Sequence, residues 1–119
     1  MKENEPLTFN ELVNLLSIDL TLILDLNTIR STFRRVQNNE NSQITVLIGQ
    51  NTRIKLNYLD LFNIYNSTIQ NNGIYNKQIC ENVLPTMTRN HGCTVHVVGM
   101  IFFRIGVMRI VDDRNYEII

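Results

Sequence analysis

Cys93-Thr-Val-His-Val-Val-Gly-Met-Ile-Phe-Phe-Arg-Ile-Gly-Val-Met-Arg-Ile-Val111 is the stretch on which the architecture turns. It admits two readings. As pleated chain, residues 93–98 are rich in β-branched side chains, and Val98-Gly99-Met100-Ile101 matches a two-residue turn with glycine first. Phe103, Ile105 and Val107 then alternate with Arg104, Gly106 and Met108. As coiled chain, 95–111 is one buried helix. Gly99 and Gly106 would each cost that helix about 1 kcal/mol relative to alanine, so the pleated reading is favoured. Asp112-Asp113-Arg114-Asn115 is a turn cluster, and 116–119 returns as a third short strand.

Working toward the N-terminus, Tyr75, Ile79 and Val83 form one stripe of a short helix over about 75–84, closed by Pro85. Tyr58, Leu61, Phe62, Tyr65 and Ile69 recur at helical spacing; Asn57 is its N-cap and Asn71-Asn72-Gly73 its left-handed stop. Before it, Ile44, Val46 and Ile48, then Ile54 and Leu56, alternate around Gly49-Gln50-Asn51-Thr52 as a β-hairpin. Asp25 caps a second helix carrying Ile29, Phe33 and Val36 on one face, ended by the turn cluster 38–42. Thr8 and Glu11 form a capping box that starts a first helix from about Phe9 to about Leu24, with a break expected near Ser17–Asp19.

The order α-α-ββ-α-α-βββ predicts an α+β fold with helices packed on one face of an antiparallel sheet. A chain of 119 residues is expected to form one domain, 1–119, with 1–7 as a disordered arm. The start is polar and unlike a signal peptide, and the longest apolar run is interrupted by His96, Arg104 and Arg109, so no membrane span is expected. With only two cysteines, an intracellular, reducing compartment (cytoplasm or nucleus) is expected. Asparagine occurs 17 times, isoleucine 15 times and alanine never. No structural rule disfavours alanine, which points to base composition and a viral or mobile-element gene.

His91, Cys93 and His96 lie close in sequence, yet only Cys80 could complete a tetrahedral zinc set, and there is no Cys-x-x-Cys. Cys93, a histidine and Asp112 or Asp113 assemble a nucleophilic triad on paper, without any local signature for one. No metal, cofactor or enzymatic activity is therefore expected.

Net charge is zero, but 27–57 carry Arg30, Arg34, Arg35, Arg53 and Lys55 against Glu40. If the second helix and the hairpin pack together, those five cations form a surface for phosphate contacts, which makes RNA or DNA binding the alternative function. The leading expectation is a non-enzymatic accessory or regulatory protein that binds a protein partner, a host factor or itself. Its motive is the doubly apolar C-terminal sheet: Val95, Val97, Phe102, Phe103, Ile105 and Val107 would seek cover in a homodimer interface.

Overall fold

Residues 94–104 of the decisive stretch are a helix. The computed structural model describes residues 5–18, 26 and 34–119. Their elements run α1 (Phe9–Ile18), β1 (Arg35–Glu40), β2 (Gln43–Leu47), β3 (Arg53–Asn57), α2 (Tyr58–Gln70), β4 (Ile74–Tyr75), α3 (Lys77–Val83), α4 (Pro85–Asn90), α5 (Thr94–Arg104), β5 (Met108–Ile110) and β6 (Tyr116–Ile118). The class is α+β, as the patterning predicts. Two three-stranded antiparallel sheets, β1-β2-β3 and β4-β6-β5, take the place of the single sheet expected.

Both glycines that argued against a helix at 95–111 have a place in one. A Cβ on Gly99 would overlap the Tyr116 ring, so the missing side chain is the seat into which β6 presses its tyrosine. Gly106 does not lie inside the helix but ends it. At φ +81° it is the left-handed residue of a Schellman motif: Val107 donates its N–H to Phe102 O at 2.9 Å and Gly106 to Phe103 O at 3.1 Å. α5 buries Thr94, Val95, Val97, Val98, Gly99, Met100, Ile101 and Phe102. Thr94 is buried with the apolar residues, so only His96 and Arg104 mark the outer side of α5 as polar, and its helical period is carried by few residues. The expected hairpin turn at Gly99 is thus corrected. The final hairpin is present, but its first strand is Met108–Ile110 instead of the Phe103–Val107 alternation, which belongs to the end of α5. In its turn Asp112 Oδ1 accepts from the N–H groups of Arg114 (2.8 Å) and Asn115 (2.9 Å).

The second helix is corrected where it can be seen. Val36 lies in β1, opposite Val46, and Asn38–Glu40 continue that strand rather than a turn. Arg35 and Gln37 lie in β1 as well, and Asp25 with residues 27–33 falls outside the described residues. A bulge at Gln37 shifts the register so that the inward residues are Val36 and Asn39, which removes the two-residue alternation by which a strand is read. Asn41 (φ 56°) and Ser42 (φ 60°) make the two-residue turn into β2, both in the left-handed region that such hairpin turns demand. Asn39 replaces an apolar inward residue by bonding two helices. It donates Nδ2–H to Leu16 O in the last turn of α1 (2.9 Å) and accepts from the Tyr58 hydroxyl (2.6 Å).

The other elements follow their local signals. Thr8 and Glu11 exchange the two hydrogen bonds of the capping box. α1 is followed to Ile18, and 19–24, with the far side of the expected break, lie outside the described residues. β3 shows the alternate burial that Ile54 and Leu56 foretell, and its last residue, Asn57, caps α2 by accepting from Asp60 N–H at 2.9 Å. Asn72 (φ 58°) and Gly73 (φ 81°) stop α2. Tyr75 belongs to β4 rather than to a helix, because Asn76 caps α3 one residue later, and Pro85 opens α4 as its first residue. Leu7, expected in a disordered arm, donates its N–H to the Tyr65 hydroxyl at 2.9 Å.

One apolar cluster joins α1, both sheets, α2, α3 and α5. Phe102 stacks on Tyr65 with ring centroids 6.3 Å apart, and the fully buried Tyr75 donates its hydroxyl to Val95 O at 2.6 Å. Among the described residues no helix is long and apolar enough to cross a membrane.

Candidate interaction surface

Antiparallel partners point to the same side of a sheet, so the register of β1-β2-β3 fixes what its outer face shows. Val36, Val46 and Ile54 form one inner row, Ile44 and Leu56 another. On the outer side Arg35 aligns with Leu47 and Arg53, and Asn38 with Thr45 and Lys55. Three of the five cations singled out from sequence therefore share one face. Arg53 donates its Nε–H to Gln37 Oε1 across β2 at 2.5 Å. Arg34, one residue before Arg35, is half-buried, and its charge is felt by the Tyr116 phenol. Arg30 lies outside the described residues.

The six side chains expected at a self-association interface do not line an exposed sheet. Val95, Val97 and Phe102 are buried on α5, and Ile105 and Val107 are buried at its Schellman end. Phe103 alone among them is exposed, at 37%, with the Arg104 guanidinium 6.0 Å from its ring centroid.

Among the described residues β3 is an edge of its sheet, and the main chain of that edge is oriented. Ile48 donates its N–H to Thr52 O and Tyr58 its N–H to Ser42 O, both at 2.9 Å. Bonded and unbonded pairs alternate along an antiparallel ladder. Between those two bonds the bonded pairs are Val46–Ile54 and Ile44–Leu56, so Arg53 and Lys55 turn their N–H and C=O groups away from β2. Alongside lies a groove of about 490 Å³. Ile54, Val83, Leu84, Pro85 and Met87 supply its apolar walls, and Arg53, Lys55, Thr86 and His91 its polar ones; none of its lining residues is a carboxylate. Leu84 and Pro85 sit where α3 passes into α4, which brings this wall to the strand. Beyond α4 a second depression, also lined by Pro85, holds Lys77, Arg89 and Arg114 with Glu81.

Cys80, His96 and Asp112, weighed for chemistry, are held by neighbours. Cys80 is buried, its Sγ 3.3 Å from Thr88 Oγ1, and both cysteines are free thiols. His96 Nδ1 lies 2.9 Å from the Tyr116 hydroxyl, whose pKa burial raises to about 12 against the opposing pull of Arg34. Hydrogen bonds from Arg114 N–H and from Asn115 hold the Asp112 carboxyl below its ordinary pKa. Among the described residues no group of three or more His, Cys, Asp or Glu could hold a metal ion. His91, first weighed as a ligand, stands instead at the groove. No protein family, curated protein or solved structure matches the chain.

Proposed function

We propose that the protein is a non-enzymatic binding protein, an accessory or regulatory factor of viral or mobile-element origin, that engages a protein partner along the β3 edge. The observation that carries this reading is the coincidence of an apolar groove, three flanking basic or titratable side chains and a strand edge with no strand paired to it among the described residues. Apolar walls with a few placed polar groups are the usual makeup of a recognition site. The compartment proposed is a reducing cell interior, where the free thiols of Cys80 and Cys93 persist.

Selection from a displayed random-peptide library, with the Met87→Glu protein as counter-selection, tests the reading. Met87 is half-buried in the groove wall. Sequences that enrich on the unaltered protein and not on the variant support it. The absence of any such enrichment overturns it.

Nucleic-acid binding is the second reading, favoured by Arg35, Arg53 and Lys55 sharing the outer face. That face carries no aromatic ring on which a base could stack, which is why the protein partner leads. Fluorescence anisotropy with single- and double-stranded RNA and DNA across a salt series tests it. Binding through these cations predicts that Arg35→Glu flattens the log–log salt slope by about one.

A further inference from the structure

We infer that the groove captures an extended peptide of alternating acidic and apolar residues as a fourth strand beside β3. This rests on the protein-binding reading above and names its ligand class. Three observations converge. The first is main-chain parity: Arg53 and Lys55 present two N–H and two C=O groups outward, and among the described residues no strand pairs with β3 on that side. Strand addition uses such groups for affinity and side-chain pockets for specificity.

The second is the pleat. A strand laid against β3 sends alternate side chains to the two faces of the sheet. On the inner side they meet Ile54, Val83, Leu84 and Met87, which select apolar residues. On the outer side they stand opposite Arg53 and Lys55, both exposed, where opposite charges stabilise and like charges repel.

The third is charge. Arg53, Lys55 and His91 line the groove and no carboxylate does, so its field favours an anionic strand. A polyanionic nucleic acid satisfies this last condition but neither the main-chain parity nor the apolar walls.

The probe is a blocked peptide alternating glutamate and valine, with its lysine-for-glutamate counterpart as control. Binding is measured by calorimetry, and amide exchange of the protein is followed by NMR. The decisive variant is Lys55→Pro. Its missing N–H points away from β2, and proline is tolerated on a strand edge at such a position; Lys55→Gln controls for the lost charge. The expected result is at least tenfold preference for the acidic peptide at low salt, a moderate loss with Lys55→Gln, and abolition with Lys55→Pro. In the unaltered protein the Arg53 and Lys55 amides gain protection on binding, whereas Ile54 and Leu56 are protected already. Binding without protection of Arg53 and Lys55, or equal binding by Lys55→Pro and Lys55→Gln, overturns strand addition. If Lys55→Pro does not fold, the amide-exchange result decides alone. Failure of the acidic peptide while library sequences still depend on Met87 overturns this inference and leaves the protein-binding reading standing. A dimer in light scattering that Lys55→Pro converts to monomer assigns the edge to a second copy, and likewise overturns the acidic-peptide occupant.

Discussion

Replacing Gly99 with alanine sets two effects of opposite sign against each other. Alanine is favoured over glycine in a helix by about 1 kcal/mol. At residue 99 the new methyl enters the space of the Tyr116 ring, whose Cδ1 lies only 2.8 Å from the ideal Cβ. The ring cannot swing aside freely. It is buried, with the Tyr75 ring 5.7 Å away, the His96 ring 5.9 Å away and its hydroxyl bonded to His96 Nδ1. Overpacking of this kind costs about 1–3 kcal/mol, and losing the hydrogen bond costs about 1 kcal/mol more. The expected net destabilisation is about 1–3 kcal/mol, a fall in Tm of about 4–12 °C for a domain of this size. Urea and thermal unfolding followed by circular dichroism measure it. A double-mutant cycle isolates the cause: in a Tyr116→Ala background the steric penalty disappears, and Gly99→Ala then stabilises by about 1 kcal/mol. If Gly99→Ala alone equals or exceeds the unaltered protein in stability, the reasoning about this seat is wrong.

Three further outcomes are expected. Gly106→Ala destabilises by about 1–2 kcal/mol through backbone conformation alone, since nothing lies within 4 Å of the added Cβ and φ is +81°; thermal melts measure it, and Gly106→Asn loses less. Asn39→Ala removes the ties to Leu16 O and to the Tyr58 hydroxyl and costs about 1–3 kcal/mol in urea unfolding. Burial raises the Tyr116 phenol to about 12 from 10.0, and the same cause raises Tyr75 well above 10.0. Because the folded-state pKa is the higher one, their contribution is complete below pH 10 and is lost as pH rises toward 12; tyrosinate absorbance and unfolding midpoints across that range report it.

Local chemistry carried the reading of sequence wherever an element advertises itself at short range. The Thr8–Glu11 box, the Asn57 cap and the alternation of Ile54 and Leu56 depend on neighbours a few residues away, and each is found. The misreadings have physical causes that act over longer distances. α5 is buried on nearly all sides, with His96 and Arg104 as its few polar marks, and what makes Gly99 acceptable lies seventeen residues downstream at Tyr116. The bulge at Gln37 leaves β1 without the strict alternation that marks a strand, and its inward Asn39 is polar. Part of the basic surface was visible because Arg53 and Lys55 are two apart on one strand. Arg34 and Arg35, being adjacent, are placed apart: one half-buried, the other exposed. The groove was invisible, since it exists only where Leu84 and Pro85 meet β3 from thirty residues away.

The seat at Gly99 also bears on how the chain matures. During synthesis α5 emerges before the tyrosine that fills its notch, and β4 waits longer still, because within its sheet its neighbour is β6. Until Tyr116 docks, the Gly99 flank of α5 lacks the cover that its own chain provides, and β4 lacks its sheet neighbour. Closing that flank and completing the second sheet are therefore one event, since both await β6.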